Sequence, residues 1–537
     1  MRKLRFIFLL TLIASQLSVV SAQEVISLEG SWDLSLNDST HYGDYVMLPG
    51  TLQTNGKSSP ATEGKVWYRK GVYIPRDWKR QRVTLFLERP YTATTVYVNG
   101  REVGHQTSRF TPHQYDVSSC LIPGYRNSIA VCVDGGERNG ITGRMELSAM
   151  SHGISIRQVK INPELVDGKL EVSVRLDSEH HPITYEEDMT VVIAPLDMND
   201  EIYYITTHEI TSQTMKLRIP IETSFAFWDE FNPQLYQIGI IIGSDSYETT
   251  FGVRQVRAEG GRLSINGRPL WLRGTVDSGI FPKTGYPPTD ESEWTDIFTK
   301  VKAYGLNHLR FRSYCPPDAA FAAADKLGIY LLLEGALKPE ELKDIADVYG
   351  RHPSLVMMAA GDADGGWKLP MIACEQDQEE LALCYKQKIE HHLLTDTAGY
   401  LLPTLNDCSR VLAKDWREFC SPLVVLARFP KYAFTNADTL QVPIVVNNAL
   451  FGNISRIRKN YMITEGERVI AGGGLSSDSI PMGNCEVGTV VFPLDTISQP
   501  TKLTLTVRIG KEISNHWDFW VRPEAIEKRE AQTSLLP

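Results

Sequence analysis

Between residues 270 and 360 the chain alternates short apolar runs with helix-patterned stretches. This alternation constrains the fold more than any other feature. Leu270-Trp271-Leu272-Arg273 reads as a strand, 291–304 as a helix and His308-Leu309-Arg310-Phe311 as a strand. A helix at 317–327, a strand at 329–333, a helix at 339–349 and a strand at 355–360 follow. Regular β-α alternation is the signature of a parallel sheet or barrel. A closed eight-fold barrel takes about 250 residues, whereas about 190 separate Phe251 from the strand-patterned region near Asp438. After Gly361 about 70 residues remain, and they hold a helix at 376–394 and a connector. Four more βα units of roughly 30 residues each do not fit there. The expectation is an incomplete (β/α) TIM-type barrel, with about four parallel strands between 265 and 362. Its open edge needs cover, either from the 376–394 helix or from a second copy of the chain in a homo-oligomer.

The flanking regions have a different texture. Within 23–152 short alternating runs dominate, such as Arg82-Val83-Thr84-Leu85-Phe86-Leu87 and Thr94-Thr95-Val96-Tyr97-Val98, broken by Asn99-Gly100 and Pro123-Gly124. Asn-Gly between alternating runs is a strong hairpin signal, and strands punctuated this way read as a β-sandwich. Residues 153–250 repeat the style at the size of an immunoglobulin-like sandwich, with Leu170-Glu171-Val172-Ser173-Val174-Arg175-Leu176 alternating cleanly. Strand patterns return after Asp438 and form a further sandwich over 430–525. The charged, then polar tail 526–537 carries no pattern.

At the front, Arg2, Lys3 and Arg5 precede an apolar run from Phe6 to Val20, and Val20-Ser21-Ala22 offers small residues for cleavage. This is the pattern of a secretory signal over 1–22. The expected product starts at Gln23 and is periplasmic or extracellular, with no membrane span after signal removal. The alternative is a retained anchor. The net charge of −10 argues against a nucleic-acid partner, because binding phosphate needs a basic face. The eight cysteines contain no Cys-x-x-Cys pair and read mostly as buried thiols. Cys374, Cys384 and His391-His392 fall near one helix, but their spacing matches no standard zinc pattern. No cofactor or metal is expected.

Several phrases, in order, resemble glycoside hydrolase family 2. They are Leu28-Glu29-Gly30-Ser31-Trp32, Trp67-Tyr68-Arg69-Lys70, Val96-Tyr97-Val98-Asn99-Gly100 with Arg101 to Gly104 behind it, and WDEFNPQLY from Trp228. Phe251-Gly252-Val253-Arg254 and Asn266-Gly267-Arg268-Pro269 then resemble the family's lead into its barrel. Arg310-Phe311-Arg312-Ser313-Tyr314-Cys315-Pro316-Pro317 is similar to an R-F-H-S-W-C-P-P phrase in one branch of that family, with Arg312 for His and Tyr314 for Trp. The resemblance implies the order jelly-roll-like sandwich (23–152), immunoglobulin-like sandwich (153–250), barrel-type region (251–429) and C-terminal β-sandwich (430–525).

It also implies a chemistry. Retaining enzymes of this kind hold two carboxyls roughly 5–5.5 Å apart, one as acid/base and one as nucleophile. The family takes the acid/base from a strand reading H-P-S, an apolar run, then G-N-E. Here His352-Pro353-Ser354 leads to Gly361-Asp362-Ala363-Asp364, with Asp362 at the Asn position and Ala363 at the Glu position. Alanine has no proton to give, and no strand supplying the nucleophile is found. Asp364 and Glu334 are the carboxylates left as catalytic candidates. Asp362, Arg310, Asp277 and Trp367 are the candidate sugar contacts, while His352 reads as a turn residue. Two functional readings follow: an exported β-galactosidase/β-glucuronidase-type hydrolase with an impaired site, or a non-catalytic carbohydrate-binding or scaffold protein. A third is a genomic remnant without selected activity.

Overall fold

The computed structural model describes residues 24–524 apart from 37–38, 58–64, 91, 135–138, 151–153, 178–187, 197–202, 222–224, 244, 260–261, 283, 336, 360–370, 375–377, 396–398, 405–410 and 451. The described residues are mostly β-sheet and fall into two compact units.

The first unit takes in residues up to Val256, together with 277–298 and 309–365. It opens with two antiparallel sheets around one core. The six-stranded sheet runs Asp44–Leu48, Gly30–Ser35, Val66–Tyr73, Arg126–Val133, Thr94–Val98, Arg101–Gln106. The facing sheet is built on Arg82–Pro90 and Gly140–Met150. Period-two alternation explains the core: Val83, Leu85 and Leu87 point inward, while Thr84, Phe86 and Glu88 point away. Tyr68, Val96 and Val131 meet the inward set from the other sheet. Asn99 and Gly100 both take positive φ, 51° and 83°, and join Thr94–Val98 to Arg101–Gln106. That two-residue turn matches the right-handed twist of the strands. Asp167-Gly168 repeats the device between Ser155–Val166 and Lys169–Asp177. Those strands start a smaller pair of sheets, three- and four-stranded, closed over Leu170, Val172, Val191, Ile193, Ile238 and Ile240.

The α/β segment follows the sequence expectation closely. Strand Tyr330–Glu334 pairs in parallel with Leu355–Met358 and has Leu309–Arg312 of strand His308–Arg312 as its other neighbour. Helices Asp318–Leu327 and Pro339–Tyr349 lie between them in the chain. Four successive residues of Tyr330–Glu334 are buried, as strands covered on both faces require. Gly328, at φ 69°, ends the first helix in the left-handed conformation, where glycine carries no Cβ penalty.

The Phe251-Gly252-Val253-Arg254 phrase has a physical explanation. A Cβ on Gly252 would meet Pro353 Cγ at 2.7 Å and Trp228 Cβ at 3.1 Å, so only glycine permits this approach. Arg254, 6 % exposed, donates Nε to the Pro353 carbonyl at 2.7 Å and Nη2 to that of Leu355 at 2.6 Å, and pairs Nη1 with Glu164 at 2.8 Å. Trp228 of WDEFNPQLY donates its indole N–H to the Asp325 carbonyl at 2.8 Å.

The second unit takes in 257–276, 299–308 and the residues from 366 on. In it Leu272–Asp277 pairs in parallel with Gly399–Leu402, Leu272 opposite Gly399. The sequence reading had no strand at 399–402; Gly399-Tyr400-Leu401-Leu402 is too short to show a period. The C-terminal part comprises a three-stranded and a five-stranded sheet around Val442, Ile444, Leu503, Leu505, Trp517 and Phe519. Strand Leu423–Ala427 already belongs to it, pairing with Thr439–Asn448 ahead of the boundary expected at 430. Helix Gln378–Leu394 buries Leu381, Tyr385 and Ile389 at four-residue spacing, one face of a 3.6-residue helix. Beside that stripe the buried Glu390 accepts from Lys386 Nζ at 2.6 Å, Asn515 Nδ2 at 2.8 Å and Trp517 Nε1 at 2.9 Å.

One cysteine expectation is corrected. Cys374 and Cys384 form a disulfide with Cα atoms 6.3 Å apart, so neither is a buried thiol or a zinc ligand. Cys132, Cys315 and Cys420 are buried and reduced, as read; Cys120 and Cys485 are reduced but half-buried. Cys408 lies outside the described residues.

Candidate active site

The expected sugar-facing rim is the set of strand C-terminal ends. Asp277 closes Leu272–Asp277, Arg312 closes His308–Arg312, and Glu334 closes Tyr330–Glu334. Asp362, Ala363, Asp364 and Trp367 lie outside the described residues. Of the six candidates, Asp277, Arg310 and Glu334 can therefore be placed.

Glu334 is clamped. Its Oε2 accepts from Arg310 Nη1 at 2.8 Å and its Oε1 faces Arg312 Nε at 3.4 Å. Arg310 and Glu334 are 7 % and 14 % exposed. With a guanidinium on each oxygen, the carboxylate has both of its acceptor atoms engaged inside the fold. Arg310 braces the strands rather than presenting a free fork to a ligand. The substitutions in the Arg310-to-Pro317 phrase fit this picture: Arg312 supplies the second guanidinium.

Asp277 differs. It accepts the Gly279 N–H at 2.7 Å. Burial pushes its carboxyl above the usual range, with that N–H and the Tyr314 hydroxyl pulling the other way. Tyr314 is buried and packs edge-on to Phe311 at 5.3 Å, with its hydroxyl turned towards Asp277. Burial and the Asp277 charge hold its hydroxyl protonated. The loop behind Tyr314 is anchored by Arg89, 1 % exposed, whose guanidinium donates to the carbonyls of Cys315, Pro316 and Phe110. Burial pushes the Cys315 thiol up to about 12, which leaves it unreactive.

Sequence reading missed a buried charged cluster in this unit. His352, taken as a turn residue, is 1 % exposed. Its Nδ1 meets Asp325 Oδ2 at 2.6 Å and its Nε2 meets Asp318 Oδ1 at 3.2 Å, while the ring stacks on Phe321 at 5.2 Å. Arg351 Nη2 joins Asp318 Oδ1 at 2.7 Å. Burial and Arg351 oppose a charge on His352, but the two carboxylates outweigh them and raise its pKa. Burial likewise opposes ionisation of Asp318, and His352 and Arg351 override it, holding that carboxyl far below its usual range. The only sequence signal was the i, i+7 spacing of Asp318 and Asp325 on one helix, two turns apart on one face.

Asp318 lines a cleft of about 960 Å³ in the first unit, together with Phe86, Glu88, Arg144, Arg157 and Arg175. Glu88 accepts the Arg144 N–H at 2.7 Å, and burial raises its pKa. Among the described residues no group of three or more His, Cys, Asp or Glu is placed to hold a metal ion, and no helix is long and apolar enough to cross a membrane.

Residues 15–141 match the family model described as "Glycosyl hydrolases family 2, sugar binding domain", and 154–254 match "Glycosyl hydrolases family 2". Residues 438–523 match a "Domain of unknown function (DUF8488)". A β-galactosidase of Thermoanaerobacter pseudethanolicus is 25% identical over 290 residues, 50% of this chain and 39% of that enzyme. One of Priestia megaterium is 23% identical over 435 residues, 68% of this chain and 41% of the enzyme. The chain thus spans about two fifths of the length of these relatives. Among solved structures, a β-D-mannosidase from Dictyoglomus thermophilum superposes with a TM-score of 0.67 at 14% identity, covering 93% of this chain and 89% of that one. A Bacteroides uniformis β-glucuronidase gives 0.60 at 15%, covering 93% and 80%. Those two likenesses show a shared fold. With two family domains matched consecutively from 15 to 254, and with the Arg254 and Trp228 anchors lying in the second, this stretch of the chain belongs to glycoside hydrolase family 2.

Proposed function

We propose that this chain is an exported carbohydrate-binding member of the family whose glycosidic chemistry is impaired. The observation that carries the reading is the loss of a proton donor at the family's acid/base position in the sequence. Ala363 stands where the family's H-P-S…G-N-E phrase puts its acid/base, and Glu334, the neighbouring rim carboxylate, has both oxygens taken by arginines. The family matches over 15–141 and 154–254 support a jelly-roll-like and an immunoglobulin-like sandwich, and the strand-helix alternation from Leu272 to Met358 supports a half-length (β/α) barrel behind them. The secretory pattern over 1–22 and the Cys374–Cys384 bridge support export, because disulfides persist in oxidising compartments.

The test is a panel of chromogenic β-galactosides, β-glucuronides, β-mannosides and β-glucosides. Positioned acid catalysis alone contributes about 10²–10⁴-fold, and without the nucleophile no glycosyl-enzyme forms. The expected outcome is turnover at the level of the buffer control. Asp277 is the rim carboxyl that burial holds towards protonation. Robust turnover lost in Asp277→Asn or Asp364→Ala would mean that a relocated carboxyl has taken over, and would overturn the proposal.

A further inference from the structure

We infer that the cleft in the first unit is a second, separate glycan site that takes an uncharged oligosaccharide through Glu88 and Asp318. This inference rests on the carbohydrate reading above and places the ligand away from the strand-end rim: the cleft shares no residue with Asp277, Arg310 or Glu334.

Several segments of the first unit build it. Strand Arg82–Pro90 turns Phe86 and Glu88 away from its own core, and Gly140–Met150 sets Arg144 beside them. Ser155–Val166 and Lys169–Asp177 bring Arg157 and Arg175. Helix Asp318–Leu327 contributes its first residues, Asp318, Ala319 and Ala322. At about 960 Å³ the volume is at the upper end of the roughly 300–1,000 Å³ typical of small-ligand sites, room for several sugar units.

The two carboxyls are in an unusual state for surface acids. The Asp318 side chain is 47 % accessible, yet burial still opposes its charge. A group reached by solvent from one direction and enclosed by protein on the others behaves this way. Its Oδ1 takes both His352 and Arg351, so the carboxylate is held rigidly. Glu88 is fixed from behind by the Arg144 N–H, and Gly143 at φ 73° allows that contact, since a Cβ there would lie 2.7 Å from the Glu88 carboxyl. Asp318 acts electrostatically on Glu88, so the two share one field.

Charge decides the ligand class. Glu29, Asp290, Glu291 and Asp347 also line the cleft and, with the two carboxyls, repel a phosphate or sulfate, while Arg144, Arg157, Arg175 and Arg351 repel a polycation. A hydroxyl-rich neutral chain uses both signs, donating to carboxylates and accepting from guanidiniums. Phe86 adds an apolar face, with the Arg144 guanidinium 5.0 Å from its ring centre.

The experiment is calorimetric titration of the full chain with β-linked gluco-, galacto-, manno- and xylo-oligosaccharides of about four to six units. Glu88→Gln keeps the acceptor for Arg144 N–H and removes the charge. Ala319→Trp fills the cleft from the helix. Thermal midpoints confirm that both variants fold. At least one oligosaccharide should bind the wild type, and each variant should weaken it by about tenfold or more, the effect of one charge-assisted hydrogen bond. Binding with unchanged affinity in both variants would overturn the cleft assignment and leave the carbohydrate reading standing. Binding by no oligosaccharide, with the same result on a panel of immobilised polysaccharides, would overturn both.

Discussion

Glu334 shows how a residue can sit where chemistry is expected and serve the fold instead. Its carboxylate is the anion between two guanidiniums, one of them buried. Removing one partner of a buried pair leaves the other charge uncompensated, which costs about 3–5 kcal/mol. Glu334→Ala should therefore lower the unfolding free energy by about 3 kcal/mol in urea titration, whatever it does to sugar binding; a change below about 0.5 kcal/mol would show that the pair contributes little. His352 makes a pH-dependent counterpart. Its folded pKa is raised above the usual 6.5 by Asp325 and Asp318 against the cost of burial. A raised histidine stabilises fully below its unfolded pKa, and that contribution is lost as pH rises through the folded one. The difference in thermal midpoint between wild type and His352→Gln should be largest below pH 6.5 and shrink above it. A difference that is flat across pH would mean that folding leaves the imidazole pKa unchanged, and one that grows as pH rises would mean that the folded imidazole is neutral.

At the scale of elements, the helices and strands of the α/β segment were legible because their periods differ and their ends are marked. Gly328 closes one helix, and Pro339 opens the next, where its missing N–H is no loss. The Asn99-Gly100 hairpin was legible for a similar reason: its turn type demands those residues. Gly399–Leu402 was not, because four apolar residues carry no period. The Asp318, Asp325, His352 and Arg351 cluster was hidden for a different reason. Its members are up to 34 residues apart and sit on two segments, helix Asp318–Leu327 and the turn at Arg351-His352, so the i, i+7 spacing of the aspartates shows only half of it. The Cys374–Cys384 bridge was equally invisible, since two cysteines ten apart fit a bridge and two free thiols alike. It ties the start of helix Gln378–Leu394 to the chain ahead of it. Closing so short a loop restricts the unfolded chain by about 2–3 kcal/mol. The Cys374→Ser, Cys384→Ser double variant should unfold at lower urea by that amount, and reduced wild type should match it. If the two differ from oxidised wild type by less than the error of the titration, the bridge does not contribute to stability.

On the scale of the whole molecule, the features at opposite ends of the chain make one claim about where it works. Residues 1–22 carry a basic start, an apolar run and small residues at 20–22, the pattern of a segment that export machinery would remove. Far along the chain, Cys374 and Cys384 are bridged, which a cytosolic glutathione pool would reverse for a weak disulfide and an oxidising compartment preserves. A net charge of −10 fits a protein kept soluble by repulsion. These properties arise independently, so they can be tested together in one preparation. Expressed from residue 1 in a bacterial host, the protein should be recovered from the periplasm with Gln23 as its first residue. Cys374 and Cys384 should resist alkylation under denaturing conditions until a reductant is added. An intact N-terminus on a cytoplasmic protein whose Cys374 and Cys384 alkylate freely would refute export. It would also remove the compartment in which an extracellular glycan could reach either the strand-end rim or the cleft.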